Sequence, residues 1–473
     1  MLLDNFRRQL RQEAELWRAE GLIDTEQYQQ LSERYQFNNL ETVARDRFVM
    51  VLIGVGSVLL GLGVITFVAA NWQAVSRELK FTLLLTLFFV VNITGFYLWR
   101  QPNQVNRRQH RLGQGLLLLG AVILGANMAL LAQMFHISSS SYQLFLSWGL
   151  GVLAMAYSLR LTFLGLLAIL LVQLGYWIGL VEGLSSVGEF SWLRLMVQHM
   201  PLLTGLLFVP LAYWCRSSLI FVLALVAVVT LVQFNLKPLE ILTYSTASLG
   251  WACAIAFALP PALLWGYDDL VWPNLTARVF QPFARNLALL FLGILFYILS
   301  FHWLWQTSSY QSVQTNLPLS LLPLIDIVIL SGLALFEWLY LLRQPRKRRF
   351  FGGMDMTTAI IACFIAITAL VPFWHLSVSP IGVLATITFN ALLSMLACGL
   401  IHKGLTQGQR RAFWGGMVLL TLQILSRMLE YDTNLLFKSF VFVFCGVGVI
   451  TVGFWFERYL SALSTYKEDS REI

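Results

Sequence analysis

Two ionisable residues interrupt apolar segments in the C-terminal half of the chain, and they have the clearest capacity for chemistry. Asp326 lies in the first third of one apolar run, and Arg427 lies near the end of another. A charged residue inside a membrane span costs about 2.5–3.5 kcal/mol on insertion scales, so it usually has a partner or a function. Arg427 is the candidate partner of Asp326, and the acid would be a proton or ion relay, a substrate contact, part of a structural ion pair or a hydrogen-bonded acid between helices. Glu337, nearer the basic end of the same run as Asp326, is expected to reach toward water or to pair with Arg343.

Neutral amides in other apolar runs extend this polar set. Asn390, Gln173 and Asn127 form, with Asp326 and Arg427, the candidate intramembrane polar site. Together these side chains would line a polar pathway through the membrane. Singly, each amide would make an interhelical hydrogen bond, worth about 0.6–2 kcal/mol. The sequence leaves both interpretations open.

A histidine followed by four serines suggests a nucleophile with its base. His136 precedes serines at 138–141. Catalysis by such a pair needs an orienting acid and an oxyanion site, and no acidic residue lies nearby in the sequence. Ser140 and Gln143 instead match the capping-box pattern that begins a helix. We predict a turn and a helix N-terminus here.

Histidines and cysteines are the residues of this chain that could bind a transition metal. The topology below places four of the six histidines at the outer face, where they would be metal ligands, a pH sensor or interfacial side chains: His136, His199, His302 and His375. The five cysteines are widely spaced and form no C-x-x-C motif, so the sequence predicts neither a zinc site nor a disulfide framework. No cofactor is expected.

The elements that must position these residues are apolar helices. Of 473 residues, 58% are apolar and 12% charged, whereas soluble domains have about 45–50% and about 25%. Since a helix needs about 20 apolar residues to cross the bilayer core, the sequence predicts an all-α polytopic membrane bundle with about 14 transmembrane helices. The predicted spans are approximately residues 49–70, 79–99, 112–134, 142–160, 161–181, 198–214, 217–235, 243–265, 284–305, 319–342, 355–374, 380–401, 410–429 and 435–456.

The distribution of Lys and Arg between the loops predicts the orientation. With a cytoplasmic N-terminus, 26 of the 32 Lys and Arg residues fall on the cytoplasmic side and 6 on the other. This asymmetry follows the positive-inside rule and predicts that both termini are cytoplasmic. The net charge of +8 thus reflects orientation, so the lipid bilayer is the expected partner and nucleic acid is not.

Three regions follow from this pattern: a cytosolic helical hairpin at 1–48, a transmembrane bundle at 49–457 and a cytosolic polar tail at 458–473. In the hairpin, Gly21 would end the first helix in a left-handed conformation. Asp24 would begin the second helix, with Gln27 completing a capping box. The hairpin is expected to pack on itself, on a cytosolic partner or under the bundle.

Part of the chain resembles a known family. The stretches that carry the resemblance are LWRAEGLIDTEQYQQLSERY, GVGSVLLGLGVITFVAANWQAVSRELK and AQMFHISSSSYQLFLSWGL. They are similar to the bacterial predicted membrane proteins of the domain of unknown function 2157 family, mainly over residues 10–160. Asn71, Trp72 and Gln133 make up the family-like motif. The resemblance implies a multi-pass protein of the bacterial inner membrane with a cytosolic hairpin, and it implies no activity and no catalytic residues.

Two classes of function are consistent with the sequence. The first is a transporter or flippase-like protein for a small or amphipathic substrate, since the chain has many spans and intramembrane polar residues but no soluble catalytic domain. The second is a non-catalytic scaffold or assembly factor that binds a cytosolic partner through residues 1–48. An intramembrane enzyme is not favoured, because no H-E-x-x-H motif or pair of intramembrane aspartates is present. The two classes differ in geometry: a transporter gathers its polar residues around a cavity, and a scaffold pairs them from helix to helix.

Overall fold

Every secondary-structure element in the described part of the chain is a helix. The computed structural model describes residues 10, 13–18, 20–35, 52–53, 55–63, 66, 76–100, 107–135, 140–183, 192–244, 249–269, 279–306, 322–343 and 355–469. Within these residues the predicted all-α fold is confirmed, with no strand.

The chain divides into two compact units, residues 1–189 and residues 190–473. The complete helices of the first unit are α1 Thr25–Tyr35, α2 Arg77–Arg100, α3 Arg107–Met134, α4 Ser141–Leu159 and α5 Thr162–Gly183. Those of the second unit are α6 Trp192–Gln198, α7 Met200–Trp214, α8 Ser218–Leu236, α9 Pro238–Tyr244, α10 Gly250–Gly266, α11 Gln281–Leu299, α12 Leu322–Arg343, α13 Met356–Ser377, α14 Gly382–Gln407, α15 Arg410–Glu430 and α16 Leu435–Asp469. A short 3₁₀ helix, His302–Trp305, follows α11.

Helices match each predicted span. Among the described residues, eleven helices are long and apolar enough to cross a membrane. The shorter apolar helices α7 and α10 coincide with the sixth and eighth predicted spans. In the first predicted span, residues 52–53 and 55–63 are helical. The exact number of crossings and the side on which the termini lie stay predictions.

In the described part of residues 10–35, the local features that the sequence indicates are present. Gly21 has a φ of +75°, the left-handed conformation that ends a helix. Gln27 Oε1 accepts a hydrogen bond of 2.9 Å from the backbone N–H of Asp24, which is one half of a capping box. Ala14 is fully buried, and Leu10, Trp17, Ile23, Tyr28 and Leu31 pack around it. The two helical segments therefore close on each other.

Glycines allow close helix contacts in the first unit. A Cβ added at Gly113 would lie 2.4 Å from the backbone nitrogen of Trp99, so α3 meets α2 backbone to backbone at this point. A Cβ at Gly125 would lie 2.4 Å from the ring of Trp148 on α4. Small residues let membrane helices approach each other this closely.

The turn before α4 is only partly as predicted. Ser140 is the N-cap residue, but its side chain makes no capping hydrogen bond. Its backbone carbonyl instead accepts from the N–H of Gln143, at 3.0 Å. The start of the helix is therefore confirmed and the side-chain half of the capping box is wrong. His136 and the serines at 138 and 139 lie outside the described residues.

Helix α10 is the centre of the second unit. It packs against α8, α9, α11, α12 and α13, and most of its residues are buried. Pro260 and Pro261 lie inside it, and a proline supplies no N–H to the carbonyl four residues earlier. The side-chain amide of Gln233 on α8 donates to the freed carbonyl of Ala256 at 2.6 Å. A neighbouring side chain thus replaces a missing backbone donor, as membrane helices require.

The last helix, α16, extends beyond the predicted end of the bundle. Residues 458–469, predicted as part of a polar tail, continue the helix to Asp469. The predicted boundary at residue 457 is therefore not the end of a helix.

Candidate functional site

A histidine and an aspartate are paired in the second unit. Nδ1 of His199 lies 2.6 Å from Oδ1 of Asp326, a hydrogen-bonded ion pair when the histidine is protonated. His199 is the residue before α7, and Asp326 is in the first turns of α12. Their side chains are 19% and 5% exposed. The pair therefore joins the starting ends of two helices that are distant in sequence.

The other carboxylate oxygen of Asp326 lacks a partner. Oδ2 is buried and has no hydrogen-bond partner among the described residues. Asp326 also lines a small pocket between helices α7, α8, α10 and α12, whose other lining residues are Pro201, Val232, Asn235, Leu236, Leu259, Ile327 and Leu330. The pocket has room for about one water molecule. A buried carboxylate beside such a pocket can hold and release a proton or contact a small polar group.

Helix α10 forms one wall of this pocket at the point where the helix lacks backbone hydrogen bonds. Leu259, which lines the pocket, directly precedes Pro260 and Pro261. The two prolines remove consecutive helical hydrogen bonds, and helices bend at such positions. The pocket therefore lies beside the part of α10 that lacks two backbone hydrogen bonds.

The predicted pairing of Asp326 with Arg427 is wrong. Arg427 forms an ion pair with Glu430, one turn further along α15, and its Nη1 donates to the backbone carbonyl of Ser300 at 2.6 Å. Its guanidinium also lies over the ring of Phe301 at 4.3 Å. Side chains three or four residues apart on one helix are already neighbours. An ion pair between them therefore loses less conformational freedom than one between two helices. Similar depth in the membrane does not select between the two.

Asn390 joins the network around Arg427. Its Nδ2 donates to the carbonyl of Ser300 at 3.0 Å, and its own carbonyl accepts from Nε2 of Gln423 at 2.8 Å. The hydroxyl of Ser394 donates to Oε1 of Gln423 at 3.1 Å. These bonds tie α14 to α15 and to the end of α11. Two of the predicted site residues thus converge, in a set of helix-to-helix contacts separate from the pocket at Asp326.

Asn127 and Gln173 belong to the first unit. Asn127 is buried, and its Nδ2 donates to the carbonyls of Leu84 at 3.3 Å and Ile123 at 3.0 Å. This is the interhelical role that the sequence offered as the alternative to a pathway. Gln173, on α5, has a buried Nε2 with no hydrogen-bond partner in the described chain.

The histidines that were predicted for the outer face have different surroundings in the described structure. The backbone N–H of His302 donates to Oε1 of Glu430 at 2.6 Å. Nδ1 of His375 accepts from the backbone N–H of Ile381 at 3.0 Å. His199 pairs with Asp326 as described above. The described residues contain no group of three potential metal ligands.

Three features were missed at the sequence level. Asp269 is fully buried, accepts from the backbone nitrogens of Phe280 and Gln281 at 2.8 and 2.9 Å, and so begins α11. Tyr213 donates to the same carboxylate and bonds the hydroxyl of Tyr267. The second feature is the amide of Gln233, which replaces the backbone donor that is missing beside the proline pair in α10. A polar residue in an apolar run, together with a Pro-Pro step in another run, would have suggested it. The third is the partner of Asp326.

Glu337 also departs from expectation. The residue is only 6% exposed, so it does not reach toward water. Its Oε2 is buried without a hydrogen-bond partner within the ranges described above. Pairing with Arg343 is not observed, and the glutamate is enclosed by α10 instead.

Comparison with known proteins gives one match. Residues 15–165 match the family model described as "Predicted membrane protein (DUF2157)". The match covers the described part of the hairpin from residue 15 onward, the predicted first three spans and α4. It does not reach the second unit, where Asp326 lies. No curated protein and no solved structure matches the chain significantly.

The family match and the helices agree on the class of protein. The chain is a multi-pass integral membrane protein of unknown function, with many apolar helices in contact with lipid. Of the family-like motif, Asn71 and Trp72 lie outside the described residues. Gln133 is exposed near the end of α3.

Proposed function

We propose that the chain is a transporter of a small or amphipathic solute, driven by protonation at Asp326, in the cytoplasmic membrane of a bacterium. The observation that carries this proposal is the pair formed by the buried Asp326 and the half-buried His199 beside a pocket. One carboxylate oxygen is bonded, and the other is unpartnered among the described residues. A buried ionisable pair between membrane helices is costly and is most often retained for function.

The surroundings of the pocket favour a protein whose helices move during its function over one whose helices stay fixed. In this conformation the pocket holds about one water molecule, so a solute needs the helices around it to part. Helix α10 has its proline pair next to the pocket, at Leu259. Interrupted helices beside a binding site are a common feature of secondary transporters. Protonation of Asp326 would weaken its ion pair with His199 and free α7 from α12.

The test is uptake of solutes by vesicles that contain the purified chain. Vesicles with an inward pH gradient are incubated with an isotopically labelled extract of polar metabolites, and the contents are identified by mass spectrometry. The wild type is expected to accumulate a subset of compounds, and Asp326→Asn is expected to lose that accumulation. Asp432→Asn, the same chemical change at an exposed position, is the matched control and should behave as the wild type.

Two outcomes contradict transport. In the first, no compound is enriched over empty vesicles. In the second, Asp326→Asn accumulates the same compounds at the same rate as the wild type. A correctly folded variant is verified by size-exclusion chromatography before the comparison is made.

A scaffold role is the second candidate, and one observation favours it. The N-terminal hairpin closes on itself but leaves Leu16 and Leu22 exposed at 54% and 68%. Large exposed apolar side chains on so short a hairpin are consistent with a protein partner. Cross-linking of the full chain in cells is expected to lose its soluble partner in Leu16→Ser/Leu22→Ser and to keep it in Glu20→Ser. Equal cross-linking in all three proteins would exclude this role for the hairpin.

A further inference from the structure

A second acidic side chain is buried on the helix that carries Asp326. Glu337 is 6% exposed, and its Oε2 has no hydrogen-bond partner in the described part of the chain. An ionised carboxylate in this place would lose its water shell and gain no counter-charge, which is strongly unfavourable. Burial without a counter-charge therefore favours the neutral, protonated form of this acid.

The end of α10 encloses this carboxyl group closely. A Cβ added at Gly266 would lie 3.2 Å from Oε2 of Glu337 and 3.1 Å from its Cβ. The adjacent Trp338 donates from Nε1 to the carbonyl of Ala262 at 3.0 Å, which fixes α12 against α10. The absence of a side chain at Gly266 thus makes room for the acid.

Within the described residues, no basic side chain forms an ion pair with Glu337. Helices α10 and α7 supply the main packing against α12, and neither contains Asp, Glu, Lys, Arg or His. Apart from the two acids, the ionisable side chains on α7, α10 and α12 are Cys253, Tyr213, Tyr340 and Arg343, and Arg285 of α11 lies against α10. Of these, Arg285 lies 5.4 Å over the ring of Trp265, and Arg343 is exposed.

The two acids share one face of α12. Positions 326 and 337 are eleven residues apart, which in an α-helix is about three turns, about 16 Å, with nearly the same direction from the axis. The pocket at Asp326 extends along this face to Leu330, one turn toward Glu337. Both acids also face α10, near Leu259 and Gly266 respectively.

We propose that α12 carries two proton-binding carboxyl groups, and that Glu337 takes up and releases a proton at the end of the helix opposite Asp326. The step is a simple protonation, in which the carboxylate accepts a proton from water and returns it. The inference rests on the proposed function, in which a proton moves with the solute. It names Glu337 as a second proton-binding site on the helix that carries Asp326.

Chemical labelling of the full chain in nanodiscs tests the proton exchange. Dicyclohexylcarbodiimide is an apolar reagent that adds to protonated carboxyl groups, and rearrangement of the product leaves an N-acylurea that mass spectrometry locates. Glu337 is expected to be labelled in acidic buffer and progressively less as the pH rises. Glu337→Gln removes this label. Glu457, which is 44% exposed and paired with Arg410, is the control and should react with a water-soluble carbodiimide instead.

Infrared spectroscopy gives a second measurement that does not depend on access of a reagent. The wild-type spectrum minus that of Glu337→Gln should contain the C=O band of a protonated carboxyl group, and the band should vanish at alkaline pH. A band that is absent, or that does not change with pH, overturns the inference, because the acid then does not exchange its proton.

Vesicle uptake separates this inference from the proposed function. Glu337→Gln should lose uptake driven by the pH gradient, whereas Glu457→Gln should keep it. Uptake by Glu337→Gln at the wild-type rate, with the same response to the gradient, overturns the role of Glu337 as the second site. If the wild type takes up nothing, the transport proposal fails, and the labelling and infrared results still decide whether Glu337 exchanges a proton.

Discussion

Replacement of Gln233 by leucine should destabilise the central helix of the second unit, because one backbone carbonyl group would lose its hydrogen-bond donor. In α10 the carbonyl of Ala256 would normally accept from residue 260, but Pro260 has no N–H and neither does Pro261. The amide of Gln233 supplies the donor at 2.6 Å. Leucine has a similar size, so the substitution removes the donor and leaves most of the packing in place.

The expected cost follows from the burial of this carbonyl. Ala256 is fully buried, and a buried acceptor left unpaired costs about 1–3 kcal/mol. Hydrogen bonds between membrane helices average about 0.6 kcal/mol with a maximum of about 1.7 kcal/mol, because the separated helices find other partners. The prolines remove the nearest alternative donors. We therefore expect a loss near the upper end of the membrane range, about 1.5 kcal/mol.

A double-mutant cycle measures this contribution directly. Thermal unfolding of the purified protein, followed by tryptophan fluorescence, is compared for Gln233→Leu in the native background and in the Pro260→Ala background. Alanine at 260 restores the backbone N–H, so the leucine substitution should cost about 1 kcal/mol less there. Gln407→Leu, at an exposed helical position, should change the unfolding temperature little. Equal costs in the two backgrounds would refute the proposed compensation.

Three further predictions concern packing, backbone conformation and charge. Gly404→Ala should destabilise the protein, because the new Cβ would lie 2.5 Å from the backbone nitrogen of Phe413. Gly399→Ala, with open space on the same helix, is the control and should be neutral or stabilise the protein by up to about 1 kcal/mol. Unfolding temperatures that fall equally in the two variants would contradict this prediction. Gly21→Ala should loosen the hairpin by about 1 kcal/mol, because its φ of +75° is unfavourable for alanine, and faster amide hydrogen exchange in residues 13–35 is the readout. Arg427→Met should cost about 3 kcal/mol, because it leaves the paired carboxylate buried without a counter-charge, and an unchanged unfolding temperature would show that this ion pair contributes nothing.

The helices were predictable because their signal is local. Continuous apolar runs of sufficient length predict membrane helices wherever they occur, and a helix lies at each predicted span. The hairpin was predictable for the same reason: the φ of Gly21 and the bond between Asp24 and Gln27 depend on a few neighbouring residues. Short-range patterns specify short-range structure.

The partners of buried polar groups were not predictable, because they depend on how distant helices pack. Asp326 pairs with His199, which lies 127 residues earlier in the sequence, and similar membrane depth pointed to Arg427 instead. Several polar groups have similar depths in the spans that the sequence predicts. Depth narrows the choice of partner, and only the packing of α7 against α12 selects one. Hydropathy likewise does not predict the division of the apolar helices into two units between residues 189 and 190.

The length of the last helix has a practical consequence for experiments in cells. Helix α16 has 35 residues, which corresponds to about 52 Å, whereas the hydrocarbon core is about 30 Å thick. The helix is therefore about 20 Å longer than the core is thick. A fluorescent reporter or a proximity-labelling enzyme fused behind Asp469 would stand clear of the lipid headgroups, where it can mark soluble neighbours without touching the bundle.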